Sequence, residues 1–150
     1  MRIVIDADGC PVVSITVQLC RRFQIPCTIV CDTAHQFQSD GIEVITVDKG
    51  SDSADYAIAN KIIADDMVIT QDYGLASMCL ARGARVLHQD GWEYAQYNMD
   101  ALLLQRHESY KYRASGGRMK GSKKRTPAQN QAFAAALQTI LQGYASGGIR

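Results

Sequence analysis

Ile3-Val4-Ile5-Asp6-Ala7-Asp8-Gly9-Cys10-Pro11 is an apolar run that stops in two carboxylates, a glycine and a proline. A short, unbroken apolar run of this kind suits a parallel strand covered by helices on both faces. Carboxylates just beyond such a strand fall in the crevice at the carboxyl ends of the sheet, where open α/β folds place their ligands. On this stretch alone two readings stand side by side. Asp6 and Asp8 are half of a metal site, or Asp8 caps a helix while Asp6 accepts hydrogen bonds in a tight turn.

Working outward, the same unit repeats. Pro11 suits the first position of a helix running to about Phe23, with Val12, Ile15, Leu19 and Phe23 at helical spacing. Cys27–Cys31 and Glu43–Val47 read as β-branched strands, separated by a polar, loop-like stretch over 32–41. The cluster Asp48–Asp55 leads into a helix for which Ser51 or Asp52 can serve as cap, with Asp55 in the first turn. Met67–Thr70 is a fourth strand, a helix follows from about residue 73 to 81 and stops at Gly83, and Arg85–His88 is a fifth strand at the sheet edge. This βα alternation predicts an α/β fold with a mostly parallel five-stranded sheet flanked by helices.

The chain of 150 residues is the length of one domain, and a hydrophobic fraction of 47% suits a globular protein. No apolar run approaches the roughly 18 residues needed to span a bilayer. The first strand begins within two residues of Met1, which leaves no room for a signal peptide, so a cytoplasmic location without membrane contact is expected. The five cysteines form no CxxC pair and no zinc-ligand spacing, which predicts buried, reduced thiols.

Charge is distributed unevenly. Residues 1–110 carry all fifteen acidic residues and half of the sixteen basic ones; residues 111–150 carry the other half and no acid. Trp92–His107 reads as helix, followed by a loop over 110–125 rich in lysine, arginine and glycine. Thr126-Pro127 then opens a helix to about 142 whose Phe133, Leu137, Ile140 and Leu141 share one face. The expected organisation is one domain over 1–142 and a disordered tail over 143–150. Tethered between two packed helices, the basic loop presents Lys111, Arg113, Arg118, Lys120, Lys123, Lys124 and Arg125 to a polyanion. Gly116, Gly117 and Gly121 let its backbone approach phosphates, and Tyr110 and Tyr112 can stack on unpaired bases.

The acids recur at strand ends: Asp6 and Asp8 after the first, Asp52 and Asp55 after the third, Asp72 after the fourth. In a parallel sheet these ends share one edge, so residues distant in sequence meet. Carboxylates crowded together either rise in pKa or collect a cation, and oxygen donors without histidine suit Mg²⁺ or Mn²⁺. Asp6, Asp55 and Asp72 are the candidate direct ligands and catalytic residues, Asp8 and Asp52 the candidates to hold a water or second ion. Ser51 and Thr70 could orient water or phosphate. Asp32 and His35 fall in the loop-like stretch.

Four segments together carry a family resemblance. They are Ile5-Asp6-Ala7-Asp8-Gly9-Cys10-Pro11, Gly50-Ser51-Asp52-Ser53-Ala54-Asp55-Tyr56-Ala57-Ile58-Ala59, Val68-Ile69-Thr70-Gln71-Asp72-Tyr73-Gly74-Leu75-Ala76 and 116–126. From about residue 2 to 141 the chain resembles the YaiI/YqxD family of bacterial proteins. Over 2–90 it is similar to the PIN-like and NYN nuclease superfamily, which implies a Rossmann-like sheet with an acidic crevice for Mg²⁺ or Mn²⁺. By motif, Asp6 matches the acid ending the first strand, Asp55 the helix acid and Asp72 the acid after the fourth strand.

Three functions remain open from the residues. The first is a metal-dependent nuclease hydrolysing phosphodiesters, with RNA preferred by analogy to the superfamily. The second is a non-catalytic nucleic-acid-binding protein with a vestigial acidic site. The third is a haloacid dehalogenase-type phosphohydrolase with Asp6 as nucleophile and Asp8 as acid, a chemistry that also asks for a lysine on the phosphate.

Overall fold

The structure is a computed structural model that describes residues 1–32, 41–50, 53–118 and 123–147. Ser51, Asp52, His35, Lys120 and Gly121 lie outside the described residues, as does most of the 32–41 stretch.

The sheet forms around the opening apolar run. β1 (Ile3–Asp6) lies between β2 (Cys27–Asp32) and β4 (Met67–Ile69), with Ile5 opposite Ile29 on one side and Ile69 on the other, both pairings parallel. β3 (Glu43–Val47) extends the sheet beyond β2, and β5 (Arg85–Leu87) beyond β4, again in parallel. A sixth strand, β6 (Glu93–Tyr94), pairs antiparallel with β5. The order is β3-β2-β1-β4-β5-β6.

Side chains along each strand alternate between faces, and both faces are covered, so Ile3, Val4 and Ile5 of β1 are all apolar and buried. Ile3 and Ile5 join Ile29, Met67 and Ile69 under α1 (Val13–Phe23) and α5 (Pro127–Ala145), where Leu19, Cys20, Phe133, Leu137 and Leu141 close the core. Val4 joins Val30, Val68 and Val86 on the other face. These pack against Ile58 of α2 (Ser53–Lys61), Leu75 and Cys79 of α3 (Tyr73–Ala81), and Met99 of α4 (Gln96–Ala114).

Several sequence expectations are corrected. The sheet has six strands among the described residues, not five, and β5 is not the edge. α1 begins at Val13, two residues past Pro11, which lies in the preceding turn. Asp32 is the last residue of β2 and not part of a loop. α4 starts at Gln96 and continues to Ala114, so Tyr110, Lys111, Tyr112 and Arg113 are helical and the basic loop is shorter than expected. Lysine and arginine are good helix formers, and the first breaker is Gly116.

α5 also runs further than expected, to Ala145. Tyr144 packs beside the core, and its hydroxyl accepts a 2.6 Å hydrogen bond from the Met1 amino group, so residues 143–145 belong to the fold and not to a tail. Pro127 opens α5 as expected, while the cap comes from Gln129, whose side chain accepts from the Thr126 N–H at 2.8 Å. Gly91, with φ of 92°, seats α5: a Cβ there would stand 2.7 Å from the Ala132 carbonyl oxygen. All five cysteines are free thiols; Cys10 is the one not buried. No helix among the described residues is long and apolar enough to cross a membrane.

Candidate functional site

The strand order places the chemistry. The chain builds outward from β1 through β2 to β3, then returns to build outward from β4, so the direction reverses between β1 and β4. Crossovers on either side of that point leave the sheet on opposite faces, which opens a crevice at the strands' carboxyl ends. A cleft of about 420 Å³ occupies it, lined by Asp6, Asp8, Asp32, Asp55 and Asp72 together with Cys10, Thr70 and Gln89.

Each acid arrives by a different local device. Asp6 ends β1, and its Oδ2 accepts from the Thr70 hydroxyl at 2.7 Å. Burial raises its pKa to about 6; the Thr70 bond opposes this, and the charges of Asp72 and Asp8 add to it. Asp8 lies in the turn beyond β1, where both carboxylate oxygens accept from the Asp32 N–H at 3.0 and 3.2 Å, tying the ends of β1 and β2 together. Asp55 stands in the first turn of α2, where the positive end of the helix dipole favours its ionised form. Asp72 is the N-cap of α3: its Oδ1 accepts from the Leu75 N–H at 3.0 Å.

The structure therefore brings Asp6, Asp8, Asp55 and Asp72 to one cleft, and Asp72 is a cap as well as a cleft acid. Asp32 and Gln89 line the same space and were not among the residues singled out as ligands. Asp32 follows the rule that selected the others, an acid at the end of a parallel strand; placing it in a loop hid that signal. Thr70 bridges two of the acids, donating to Asp6 and accepting from the Asp72 N–H at 3.0 Å.

The donors fit a hard divalent cation. Carboxylate oxygens dominate, no histidine lines the cleft among the described residues, and the raised Asp6 pKa reflects in part the mutual repulsion that a cation would relieve. Among the described residues, no three His, Cys, Asp or Glu side chains are drawn together closely enough to enclose an ion by themselves. No described lysine lines the cleft, so the arrangement lacks the phosphate-binding lysine expected of a haloacid dehalogenase-type site.

The basic residues divide into two groups. Lys111 and Arg113 are exposed on the last turn of α4, and Arg118, Lys123 and Lys124 are exposed beyond it. Arg125 is committed to the fold: its guanidinium donates to Asp90 Oδ1 at 2.6 Å, to the Gln89 carbonyl at 2.7 Å and to Asn130 Oδ1 at 2.7 Å. Those bonds set it apart from Lys123 and Lys124, whose side chains are exposed. The same bonds pin the C-terminal end of the basic segment to the β5–β6 turn, at Asp90 and at Gln89 of the cleft wall.

His88 stacks on Trp92 with ring centroids 4.3 Å apart and accepts at Nδ1 from the Asp90 N–H at 3.0 Å. Burial lowers its pKa, which keeps that acceptor neutral near pH 7. Tyr110 is 70% exposed and Tyr112 50% exposed, but Gly117 lies so close to the Tyr112 ring that any Cβ would overlap it. That glycine serves the approach to Tyr112.

A mostly parallel α/β protein with a carboxylate-lined cleft at the reversal of its strand order is the class defined by these features. Within it, the chain belongs to the YaiI/YqxD family, described as "Uncharacterized BCR", whose family model matches residues 4–143 and so takes in the basic segment and nearly all of α5. It is similar to the UPF0178 protein of Exiguobacterium sibiricum, 45% identical over 94% of this chain and 96% of that one. It is also similar to the UPF0178 proteins of Natranaerobius thermophilus (42% identical, 94% and 96% covered) and Ruminiclostridium cellulolyticum (40%, 98% and 96%).

Proposed function

We propose that this protein is a Mg²⁺- or Mn²⁺-dependent nuclease that hydrolyses phosphodiesters, with RNA as the preferred substrate. The observation that carries the reading is the convergence of Asp6, Asp8, Asp55 and Asp72 on one cleft at the β1–β4 reversal, with an exposed basic segment pinned beside it. The resemblance of residues 2–90 to PIN-like nucleases supports the same conclusion, since it matches Asp6, Asp55 and Asp72 to that superfamily's acids. Fold resemblance alone does not carry activity, so the site bears the argument.

Mg²⁺ keeps several of its waters and binds through one or two carboxylates plus substrate phosphate, which suits an open acidic cleft better than a closed cage. Asp6, Asp55 and Asp72 would hold it, with Asp8 beside them. When bound, such a cation lowers the pKa of an attacking water and neutralises charge at the phosphate. The chain's own residues supply the rest. Thr70 orients Asp6 and links it to the Asp72 backbone. Lys123 and Lys124, next to the anchored Arg125, neutralise backbone phosphates at the cleft mouth.

The test is cleavage of a labelled RNA by the full chain with and without Mn²⁺. Cleavage should require metal and be lost in Asp6→Asn and Asp72→Asn variants that still fold. Cleavage that survives both substitutions would exclude this site. A binding-only protein is the second reading, supported by the lack of an ion-enclosing cluster among the described residues. It predicts salt-sensitive RNA binding with no turnover under either metal.

A further inference from the structure

The acid cleft is rich in acceptors and poor in donors. Five carboxylates line it, and the Thr70 hydroxyl already donates its proton to Asp6. Among the described residues, the strong neutral side-chain donors that remain on its walls are the carboxamides of Gln71 and Gln89. The two are held differently. Gln71 is exposed on the bend between β4 and α3. Gln89 is half-buried in the β5–β6 turn, which is clamped from within and from without. Within the turn, the His88 N–H donates to the Trp92 carbonyl at 2.8 Å, the Gly91 N–H to the His88 carbonyl at 2.9 Å and the Asp90 N–H to His88 Nδ1 at 3.0 Å. From outside, Arg125 donates to the Gln89 carbonyl at 2.7 Å and to Asp90 at 2.6 Å, and Gly91 stands against the Ala132 backbone of α5. The backbone at 89 is therefore fixed, while the Gln89 carboxamide has no hydrogen-bond partner among the described residues.

We propose that Gln89 is a catalytic residue of this cleft, donating from its carboxamide to a non-bridging phosphoryl oxygen of the substrate, and that Arg125 is the residue that positions it. The proposal rests on the nuclease reading and adds to it a group outside the acid set. In the hydrolysis the water oxygen bonds to phosphorus, the ester P–O bond breaks with its electron pair on the leaving oxygen, and protons exchange with solvent. Gln89 transfers no proton. Negative charge gathers on the phosphoryl oxygens as the water attacks, and the carboxylates around them repel it. A donor already in place meets that charge without reorganising at the moment of reaction. Because a carboxamide is neutral, it does so without forming an ion pair with the acids, as a lysine or arginine in the cleft would. The phosphoryl oxygen in turn gives a half-buried, unpaired amide the partner it lacks. Where that amide can reach depends on where its backbone is held. The planar Arg125 fork holds it by gathering the Gln89 carbonyl, Asp90 and Asn130 of α5 on one group, a geometry that a lysine ammonium does not reproduce.

The experiment takes two readouts from the full chain, at a temperature where melting curves show every variant folded. In the first, inorganic phosphate is titrated with Mg²⁺ present while the side-chain amide resonances are followed by NMR. Those of Gln89 should move and those of Gln71 should stay, and the Gln89 shift should be lost in Arg125→Lys. In the second, Mn²⁺-dependent cleavage of a labelled RNA is measured. Gln89→Ala should lower kcat about a hundredfold with KM unchanged, the pattern of a donor that acts in the transition state. Arg125→Lys should lower kcat about tenfold by misplacing that donor. With sulfur, a poorer acceptor, in place of the contacted oxygen, the Gln89→Ala penalty should shrink for one of the two phosphorothioate diastereomers. Wild-type kcat in Gln89→Ala, or Gln89 resonances indifferent to phosphate, would overturn the assignment and leave the nuclease reading standing. An equal penalty on the oxygen substrate and both diastereomers would make Gln89 structural and overturn it as well. Wild-type kcat in Arg125→Lys and Arg125→Ala would overturn the positioning role. A wild-type protein that cleaves no RNA with Mn²⁺ would overturn the nuclease reading and the proposal together.

Discussion

The Thr70 hydroxyl donates to Asp6 Oδ2 across 2.7 Å and accepts from the Asp72 N–H, so one side chain at the end of β4 controls two acids of the cleft. Thr70 is 2% exposed, so its bonds have little competition from water. Thr70→Val keeps the shape and removes both bonds. The expected cost is about 1–3 kcal/mol of stability in urea denaturation, the range for buried polar groups left unpaired. The Asp6 pKa should also climb further, because this bond is what opposes its burial. Unchanged stability and an unchanged Asp6 titration by NMR would show that the hydroxyl does not hold the pair.

The Asp6 pKa sets a direction for pH dependence. Its folded value of about 6 lies above the ordinary 3.8, so the native state holds the proton more tightly than the unfolded chain does. Stability from this group is fully present below pH 3.8 and is lost as pH rises through 6, a change of about 3 kcal/mol without metal. Asp6→Asn should remove this slope and exceed the wild type in stability at pH 8. Mn²⁺ should reverse it: ionised Asp6 is the ligand form, so the metal should raise the melting temperature more at pH 7.5 than at pH 5. Equal metal-induced shifts at both values would remove Asp6 from the ligand set.

The three-bond anchoring of Arg125 separates it from its neighbours Lys123 and Lys124. Arg125→Ala leaves Asp90 without its partner and frees the end of the basic segment, at an expected cost of about 1–3 kcal/mol. Lys123→Ala and Lys124→Ala should change stability by no more than about 0.5 kcal/mol. The lysine pair should instead reduce the dependence of RNA affinity on salt, lowering the log–log slope by about 1.5 for two phosphate contacts. An unaltered slope in the double variant would take the segment out of RNA binding.

Phe133 is fully buried where α5 meets the sheet and α1. Phe133→Ala should cost about 3–5 kcal/mol through lost burial and the cavity left behind. Because α5 also carries Asn130, which bonds Arg125, loosening the helix should expose the basic segment to protease sooner than the rest of the chain. Uniform cleavage along the chain would show that the two are not coupled.

The parts of the fold readable in advance were those where one physical rule acts alone. β1, β2 and β4 appeared as apolar runs because burial on both faces leaves few polar positions, the outer β3 and β5 showed through their β-branched or apolar residues, and α5 announced itself through Phe133, Leu137 and Leu141 on one stripe. β6 could not be read that way. Its two residues, Glu93 and Tyr94, are too few to show a period, and an antiparallel edge strand needs only one apolar side chain facing inward. The extent of α4 was hidden because its single buried residue, Met99, gives no stripe, while the basic composition of 111–113 resembles a solvated loop. The site was legible through its strand-end acids. What tied them together, the Thr70 bridge and the Asp8 bonds to the Asp32 N–H, depends on strand neighbours far apart in sequence, so spacing along the chain gave no sign of it.

Asp72 poses the sharpest test because two roles share one side chain. As N-cap of α3 it satisfies the Leu75 N–H, and as a cleft acid it raises the Asp6 pKa by its charge. Asparagine is as good a cap as aspartate, whereas alanine is not. Asp72→Asn should therefore keep the cap and remove the charge: the fold stays intact, the Asp6 pKa falls, and metal-dependent cleavage disappears. Asp72→Ala should add about 1 kcal/mol of destabilisation from the lost cap. If the asparagine variant cleaves RNA as the wild type does while the alanine variant only melts earlier, Asp72 is a cap and nothing more, and the ion must be held by Asp6 and Asp55 without it.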